Sequence, residues 1–208
     1  MTDFSLPLEI RAQLTTLLNA KGRSYHTTLH VNHFLRLIAW LADKDPKVLA
    51  KIETFIWGAW IHDAIYDPLS RTNESESARL GLDIMYDQNK TEEMISDVVL
   101  MVSASAHRGF ICGPDQDVDV IEAFLDIDKA ILGENERVYA DYINGIANEY
   151  LGDSHLTYAE FAKGRAKFLT AILARERIYV NPFMHERFEE QARINMTIEL
   201  AAIQEDRK

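Results

Sequence analysis

The sequence predicts an all-α fold, because helix signals recur throughout and no stretch shows the regular alternation of apolar and polar residues that is typical of a strand. In residues 6–18, for example, leucine and isoleucine recur at helical spacing. Asp45-Pro46, the capping box at residues 157–160 and Asn181-Pro182 are typical of helix starts. Together these observations predict a multi-helix bundle of eight to ten helices.

The predicted helices follow one another with short breaks. The second covers about residues 24–42. The third begins at Asp45-Pro46, runs into His62-Asp63 and ends at Asp67-Pro68, because the residue before a proline is pushed out of the α region. Later helices are predicted at about 74–87, from 91 towards 107, at 120–132, 134–151 and 157–178, and from 181 onward.

No repeat, low-complexity segment or linker divides the chain. Residues 1–208 are therefore predicted to form a single domain, with a motif-bearing core at about 20–135 and C-terminal helices at about 136–204. The formal charge of −11 argues against nonspecific binding to nucleic acid or anionic lipid, which requires a basic surface.

Several features indicate where the protein acts. No run approaches the roughly 20 apolar residues of a membrane span, and the N-terminus lacks the basic and apolar segments of a signal peptide. The single cysteine, Cys112, has no CxxC partner and fits a reducing compartment. We expect a cytoplasmic protein with no nucleic-acid or membrane partner, and a homo-oligomer is compatible with the sequence.

Three histidines recur in the second predicted helix. His26, His30 and His33 are spaced i, i+4 and i+7, so they fall in one stripe and can face one cavity. Arg23, one turn earlier, makes this stripe a candidate anion site. Taken alone, the spacing is more typical of half-buried polar residues on an interhelical surface.

A second polar group, His62-Asp63, ends the apolar run at residues 55–61, and Asp67 follows at i+4 from Asp63. One interpretation is a helix C-terminus with a surface aspartate. However, carboxylates near a helix C-terminus oppose the helix dipole, so a cation is expected to compensate them. A buried and unpaired charge costs several kcal/mol, and a metal ion is one compensating partner.

Asp126 and Asp128 interrupt another apolar run. Being two residues apart on a helix, they point to different faces, so at most one is expected to join the other polar groups. The alternative is that one caps the helix and the other pairs with Lys129 or an arginine.

The ordered set of these motifs resembles the HD-domain superfamily of metal-dependent phosphohydrolases, and within it a bacterial subgroup of predicted HD phosphohydrolases. The similarity extends over about residues 20–200 and is more specific for fold and metal than for substrate. The matching segments are residues 23–30, 62–67, 73–78, 124–128 and 192–195.

The resemblance implies four metal ligands: His26, His62, Asp63 and Asp128. His26 is preferred to His30 because Arg23-x-x-His26 resembles the family's Arg-x-x-His and lies at a fitting distance from His62. Asp128 is preferred to Asp126 because the Lys-Ala-Ile that follows it resembles the family's pattern.

The resemblance also implies roles for neighbouring residues. Asp67 matches an acidic position that assists the attacking water, and Glu74 is a second candidate for that role. Arg23, His30 and His107 are expected to bind phosphate oxygens. Lys163, Arg165 and Arg193 are further candidates for binding phosphate, although arginines on amphipathic helices are more often surface or salt-bridge residues.

Two imidazoles and two carboxylates form a mixed nitrogen and oxygen set that suits Mn²⁺, Fe²⁺, Co²⁺, Ni²⁺ or Mg²⁺. We expect a phosphohydrolase, either a phosphomonoesterase or a pyrophosphohydrolase, acting on a small phosphorylated substrate that is nucleotide-like on family grounds. The alternatives are a metal-containing sensor module that turns nothing over, and a helical scaffold in which the four residues are dispersed.

Overall fold

The computed structural model describes residues 6–106, 109–152 and 156–205, and within these ranges it contains helices and no strand. The prediction of an all-α fold is thereby confirmed, with ten α-helices and one short 3₁₀ helix in the described ranges. The helices are α1 (Leu8–Leu18), α2 (Thr28–Ala42), α3 (Pro46–Ala50), α4 (Ile52–Ile61), α5 (Asn73–Asp87), α6 (Glu92–Ala104), α7 (Val118–Lys129), the 3₁₀ helix (Ala130–Gly133), α8 (Glu136–Leu151), α9 (Tyr158–Leu173) and α10 (Pro182–Glu205).

Two hydrophobic clusters hold the helices together. The larger joins one face of α2 to α7, α8, α9 and α10, and Phe34 and Phe124 lie fully buried within it. The smaller joins α1, α4, α5 and α6 around Trp57 and Met85. Because α2 and α4 contribute to both clusters, the polar residues near their ends lie between the two halves of the core.

None of the helices in the described ranges combines the length and the apolar character needed to cross a membrane.

The second helix begins at Thr28, four residues later than the sequence predicted. Thr27 caps it by accepting a hydrogen bond from the Leu29 N–H. The residues before it are held outside the helix because Glu149 Oε1 accepts the backbone N–H groups of Ser24, Tyr25 and His26 at 2.7–2.9 Å. His26 therefore lies outside the helix, and the predicted helical stripe of three histidines is wrong.

The predicted third helix is two helices that meet at Lys51. Asp45 caps α3 as expected, with its Oδ1 accepting the Lys47 N–H at 2.9 Å. At the joint, the Lys51 side chain forms ion pairs with Glu93 and Asp97 of α6. The helical path from Asp45 to His62 is thus interrupted where α6 packs against it.

Helix α4 ends at Ile61, earlier than the predicted end at Asp67-Pro68. Beyond it, Arg23 donates to the carbonyl oxygens of Asp63 and Ala64 at 2.6 and 2.8 Å. Ser77 Oγ accepts the N–H of Ile65 at 2.9 Å. These bonds satisfy backbone groups that would otherwise continue the helix, so Asp67 does not return to the face of Asp63.

Candidate metal centre

Two histidines and two aspartates from three parts of the chain converge between the core clusters. His30 comes from α2, His62 and Asp63 directly follow α4, and Asp128 comes from the last turn of α7. His30 Nε2 and His62 Nε2 lie 3.0 Å apart. Asp63 Oδ2 is 2.9 Å from His62 Nε2 and 3.6 Å from His30 Nε2, and Asp128 Oδ1 is 3.7 and 3.4 Å from the same two atoms.

This spacing suits a shared divalent cation. Donors about 2.1 Å from one ion lie about 3.0–3.4 Å from their neighbours, close to the distances in this group. The ligand atoms of His30, His62 and Asp128 lie within 4.8 Å of one another, a group that could hold a metal ion. Asp63 is not in that three-residue group, but its Oδ2 lies 2.9 Å from His62 Nε2 and 3.6 Å from His30 Nε2.

The hydrogen bonds of His62 orient it for such a role. Its Nδ1–H donates to the carbonyl oxygen of Ala59 at 3.0 Å, so in the neutral ring Nε2 carries a lone pair directed into the group. Fixing the second ring nitrogen in this way is typical of metal-binding histidines. His30 Nδ1 is buried and has no hydrogen-bond partner among the described residues.

The carboxylates of Asp63 and Asp128 favour positive charge on the neighbouring imidazoles. Burial opposes protonation of His62, but Asp63 and Asp128 outweigh burial and raise the pKa of His62 to about 9. Burial likewise opposes ionisation of Asp63, yet the imidazoles of His62 and His26 hold its pKa well below its usual range. Burial lowers the pKa of His30, which remains the less basic ring.

His26, the histidine preferred from the sequence, makes a different set of contacts. Its Nδ1 lies 2.7 Å from Glu149 Oε2, and its ring stacks on Tyr66 with the centroids 4.2 Å apart. The His26 and His30 rings are 6.0 Å apart. The geometry therefore groups His30, which the sequence assigned to phosphate, with the other donor atoms, while the identity of the metal ligands stays a prediction.

Glu149 organises the segment before α2, although no sequence pattern pointed to this residue. Its Oε1 accepts three backbone N–H groups, and its Oε2 accepts from the Tyr66 hydroxyl at 2.9 Å and pairs with His26. Burial opposes its ionisation, but the hydrogen bonds from His26 and the backbone outweigh burial and lower its pKa to about 2. A glutamate 123 residues away from His26 on an amphipathic helix looks like any surface acid in the sequence.

Arg23 and Asp67 are both engaged with the backbone. The Arg23 guanidinium donates to three carbonyl oxygens, those of His26, Asp63 and Ala64. Asp67 is exposed, and its Oδ1 accepts the Leu69 N–H at 2.8 Å. These contacts give both side chains local structural roles, and their predicted roles in phosphate binding and water activation stay untested.

The remaining candidates divide clearly. His33 pairs with Glu134 at 3.0 Å, away from the donor group. Asp126 is fully buried, accepts the Asn181 N–H at 2.7 Å and pairs with Lys129 at 3.0 Å, so Asp128 is the aspartate of that run whose carboxylate reaches the group. His107 lies outside the described residues.

A cavity of about 450 Å³ opens beside the donor group. Asp63 and Asp128 line it, whereas His30 and His62 lie buried behind them. Glu74 lines the same cavity and Asp67 does not. Five aromatic side chains are among its other lining residues: Tyr66, Tyr142, Tyr150, Phe161 and Phe168.

The described residues form an all-α protein with a cluster of histidines and aspartates beside a cavity of about 450 Å³. No protein-family model, curated protein or solved structure matches the chain. The resemblance to the HD-domain superfamily therefore stays an expectation from its motifs.

Proposed function

We propose that this protein is a metal-dependent phosphohydrolase whose cation is held by His30, His62, Asp63 and Asp128. The observation that carries the proposal is the convergence of two imidazole nitrogens 3.0 Å apart, each 2.9–3.7 Å from a carboxylate oxygen of Asp63 and of Asp128, beside a cavity of about 450 Å³. A divalent cation, when bound, supplies Lewis-acid polarisation of a phosphoryl oxygen and favours ionisation of water.

The side chains of the chain itself supply the remaining chemistry. Glu74 is half-buried and lines the cavity, so it is the better candidate of the two predicted bases. In the proposed reaction the oxygen of a water molecule forms a bond to phosphorus while the bond to the leaving oxygen breaks. Glu74 accepts a proton from the attacking water, and the leaving oxygen takes a proton from solvent.

The burial of the donor group supports this proposal on physical grounds. Asp63 and Asp128 retain 16% side-chain exposure, while the His62 side chain retains 1%. Carboxylates in such a setting require a cation, and the arrangement leaves their cavity side open to a ligand. A site built only for stability would gain as much from apolar residues of similar size.

Metal content and turnover test the proposal together. Purified His30→Ala and His62→Ala are expected to lose bound metal and hydrolysis of phosphomonoesters and pyrophosphates assayed with Mn²⁺, while circular dichroism stays helical. His33→Ala is the matched control, because His33 lies on the same helix but pairs with Glu134. A metal-free His62→Ala protein with full turnover would refute the proposal.

The choice of base is tested by a second pair of variants. Glu74→Gln is expected to lower kcat by at least about 100-fold with metal content unchanged, the size typical of a lost general base. Asp67→Asn, its control outside the cavity, is expected to keep kcat.

Metal loss in His26→Ala but not in His30→Ala would instead assign the ligand role to His26. A wild-type protein that binds metal and ligands tightly but forms no product would be a sensor module.

A further inference from the structure

Arg165 of α9 is a buried cation at the edge of the cavity, on the side formed by α8 and α9. Its side chain is 7% exposed and lines the cavity. Glu199 of α10 binds it with two hydrogen bonds, from Nε to Oε1 at 2.7 Å and from Nη2 to Oε2 at 3.1 Å. Nη1 donates to the Tyr142 hydroxyl at 2.8 Å. The guanidinium is thus held by three hydrogen bonds to two partners.

These contacts leave part of the guanidinium available. An arginine side chain has five N–H groups, and three of them have acceptors among the described residues. The two others, one on each terminal nitrogen, belong to a side chain that lines the cavity, whereas Glu199 is not among the described lining residues. Glu199 therefore fixes the guanidinium plane from outside the cavity.

Two aromatic rings restrict the guanidinium further. Its Cζ atom lies 4.9 Å from the Tyr142 ring centroid and 5.0 Å from that of Phe168. Tyr139 donates its hydroxyl to Glu199 Oε2, which orients the carboxylate in turn. Because these contacts already hold the planar Arg165 guanidinium, its side chain loses little conformational entropy when it binds a ligand.

The charges of the lining side chains indicate a role for the Arg165 guanidinium. The described lining carries the carboxylates of Asp63, Asp128, Glu74 and Glu160, and Arg165 is the one permanently charged cation among those lining residues. A buried ion pair adds little stability over apolar residues of similar size, so stability alone does not account for a buried arginine whose side chain lines this space.

We propose that Arg165 forms a second anion subsite, which binds an acidic group of the substrate other than the phosphoryl group at the metal centre. The substrate class is then a phosphorylated compound with a further oxyanion, either a second phosphate or a carboxylate, since both match the guanidinium fork. This inference rests on the proposed function for its interpretation as a substrate subsite, and it is tested by binding instead of turnover.

Three phosphonates that resist phosphatase cleavage separate the two functions. Methylphosphonate carries one acidic group, methylenediphosphonate carries two phosphonates, and phosphonoacetate carries a phosphonate and a carboxylate. Their affinities for the Mn²⁺-loaded protein are measured by calorimetry. We expect the wild type to prefer one of the two-anion probes over methylphosphonate, and the preferred probe identifies the second group.

Arg165→Lys is the informative variant, because lysine keeps the charge beside Glu199 but has no planar fork. It is expected to lose the preference by about tenfold and to keep its affinity for methylphosphonate. Lys163→Gln is the matched control, since Lys163 is exposed on the same helix and does not line the cavity. Arg165→Met combined with Glu199→Met removes the pair without leaving a buried charge, and it is expected to lose the preference as well.

The results separate the subsite from the proposed hydrolase. An unchanged preference in Arg165→Lys, or an equal loss for all three probes, would overturn the subsite even in an active hydrolase. A protein without metal or turnover that still shows an Arg165-dependent preference would keep the subsite and remove the hydrolase.

Discussion

Gly58 of α4 lies directly against the Phe124 ring of α7, and its replacement by alanine is expected to disturb the proposed metal centre through packing alone. A Cβ at this position would lie 2.7 Å from Phe124 Cε2 and 3.2 Å from Cζ, whereas carbon atoms pack at about 3.5–4.0 Å. Phe124 is fully buried, and the rings of Phe34 and Phe55 lie against it with centroids 4.8 and 6.0 Å away. These two rings restrict how far the Phe124 ring can move.

The magnitude follows from two opposing terms. Overpacking of a filled core costs about 1–3 kcal/mol, and alanine is a better helix former than glycine by about 1 kcal/mol. Gly164→Ala isolates the second term, because a Cβ at Gly164 in α9 meets no atom within 4 Å. Gly58→Ala is therefore expected to have a free energy of unfolding about 1–3 kcal/mol below that of Gly164→Ala.

Gly58→Ala is also expected to shift two of the proposed metal ligands, His62 and Asp128, each of which lies one helical turn from the contact. His62 follows Gly58 by four residues and donates its N–H to the Gly58 carbonyl, and Asp128 follows Phe124 by the same interval. Moving α7 away from α4 lengthens the distance from His62 Nε2 to Asp128 Oδ1, which is 3.7 Å. Mn²⁺ affinity is expected to fall by about tenfold, as for other changes that misorient metal ligands.

Urea denaturation of the metal-free proteins measures the first effect, and Mn²⁺ titration of the folded proteins measures the second. Gly58→Ala is expected to cost less in both measurements when it is made in a Phe124→Leu background, which lacks the opposing ring edge. Equal stabilities and equal Mn²⁺ affinities in Gly58→Ala and Gly164→Ala would refute the packing argument.

Three further changes test other contacts. Glu149→Gln is expected to cost about 3 kcal/mol at neutral pH, because the folded-state pKa is depressed from 4.5 to about 2. Because the folded-state pKa of Glu149 is lowered, its ionised carboxylate stabilises the wild type above pH 4.5, and this stabilisation disappears as the pH falls. The free energies of unfolding in urea of variant and wild type should therefore converge between about pH 5 and pH 2. A difference that stays constant over this range would contradict the role of Glu149. Asp126→Ala leaves Lys129 buried and unpaired, so a loss of about 3–5 kcal/mol in thermal unfolding is expected with Mn²⁺ affinity unchanged; a loss below about 1 kcal/mol would argue against the pair. Thr157→Ala removes the α9 cap and is expected to cost about 1 kcal/mol in urea, and no loss would show that the cap is not stabilising.

The helical scaffold was predictable because its signals are local. The Thr157 capping box, the Asp45 cap and the start of α10 at Pro182 all depend on residues within a few positions of one another. The prediction failed where a distant residue competes with the helix. At the start of α2, Glu149 holds three backbone N–H groups, and beyond the end of α4, Arg23 binds two carbonyl oxygens.

The site shows the same division between local and distant causes. The adjacent pair His62-Asp63 stood out because it directly follows an apolar run, and Asp126 and Asp128 stood out within another. Which aspartate faces which partner depends on the rotation of α7 in the core, where Lys129 and Asn181 receive Asp126. Such rotation results from packing over the whole helix, and spacing alone does not determine it.

The separate environments of His26 and His30 follow from where α2 begins. His30 lies within the helix, so its ring is fixed between α2 and the end of α4, 3.0 Å from His62. His26 precedes the helix, so its ring follows the loop that Glu149 holds, stacks on Tyr66 and lines the cavity. Two histidines spaced as in a helical metal motif thus occupy different chemical environments, one among the carboxylates and one in the cavity wall. Glu149 contacts Nδ1 of His26, so Nε2 is the ring nitrogen through which His26 would meet a ligand in the cavity, and the comparison of His26→Ala with His30→Ala separates the two assignments.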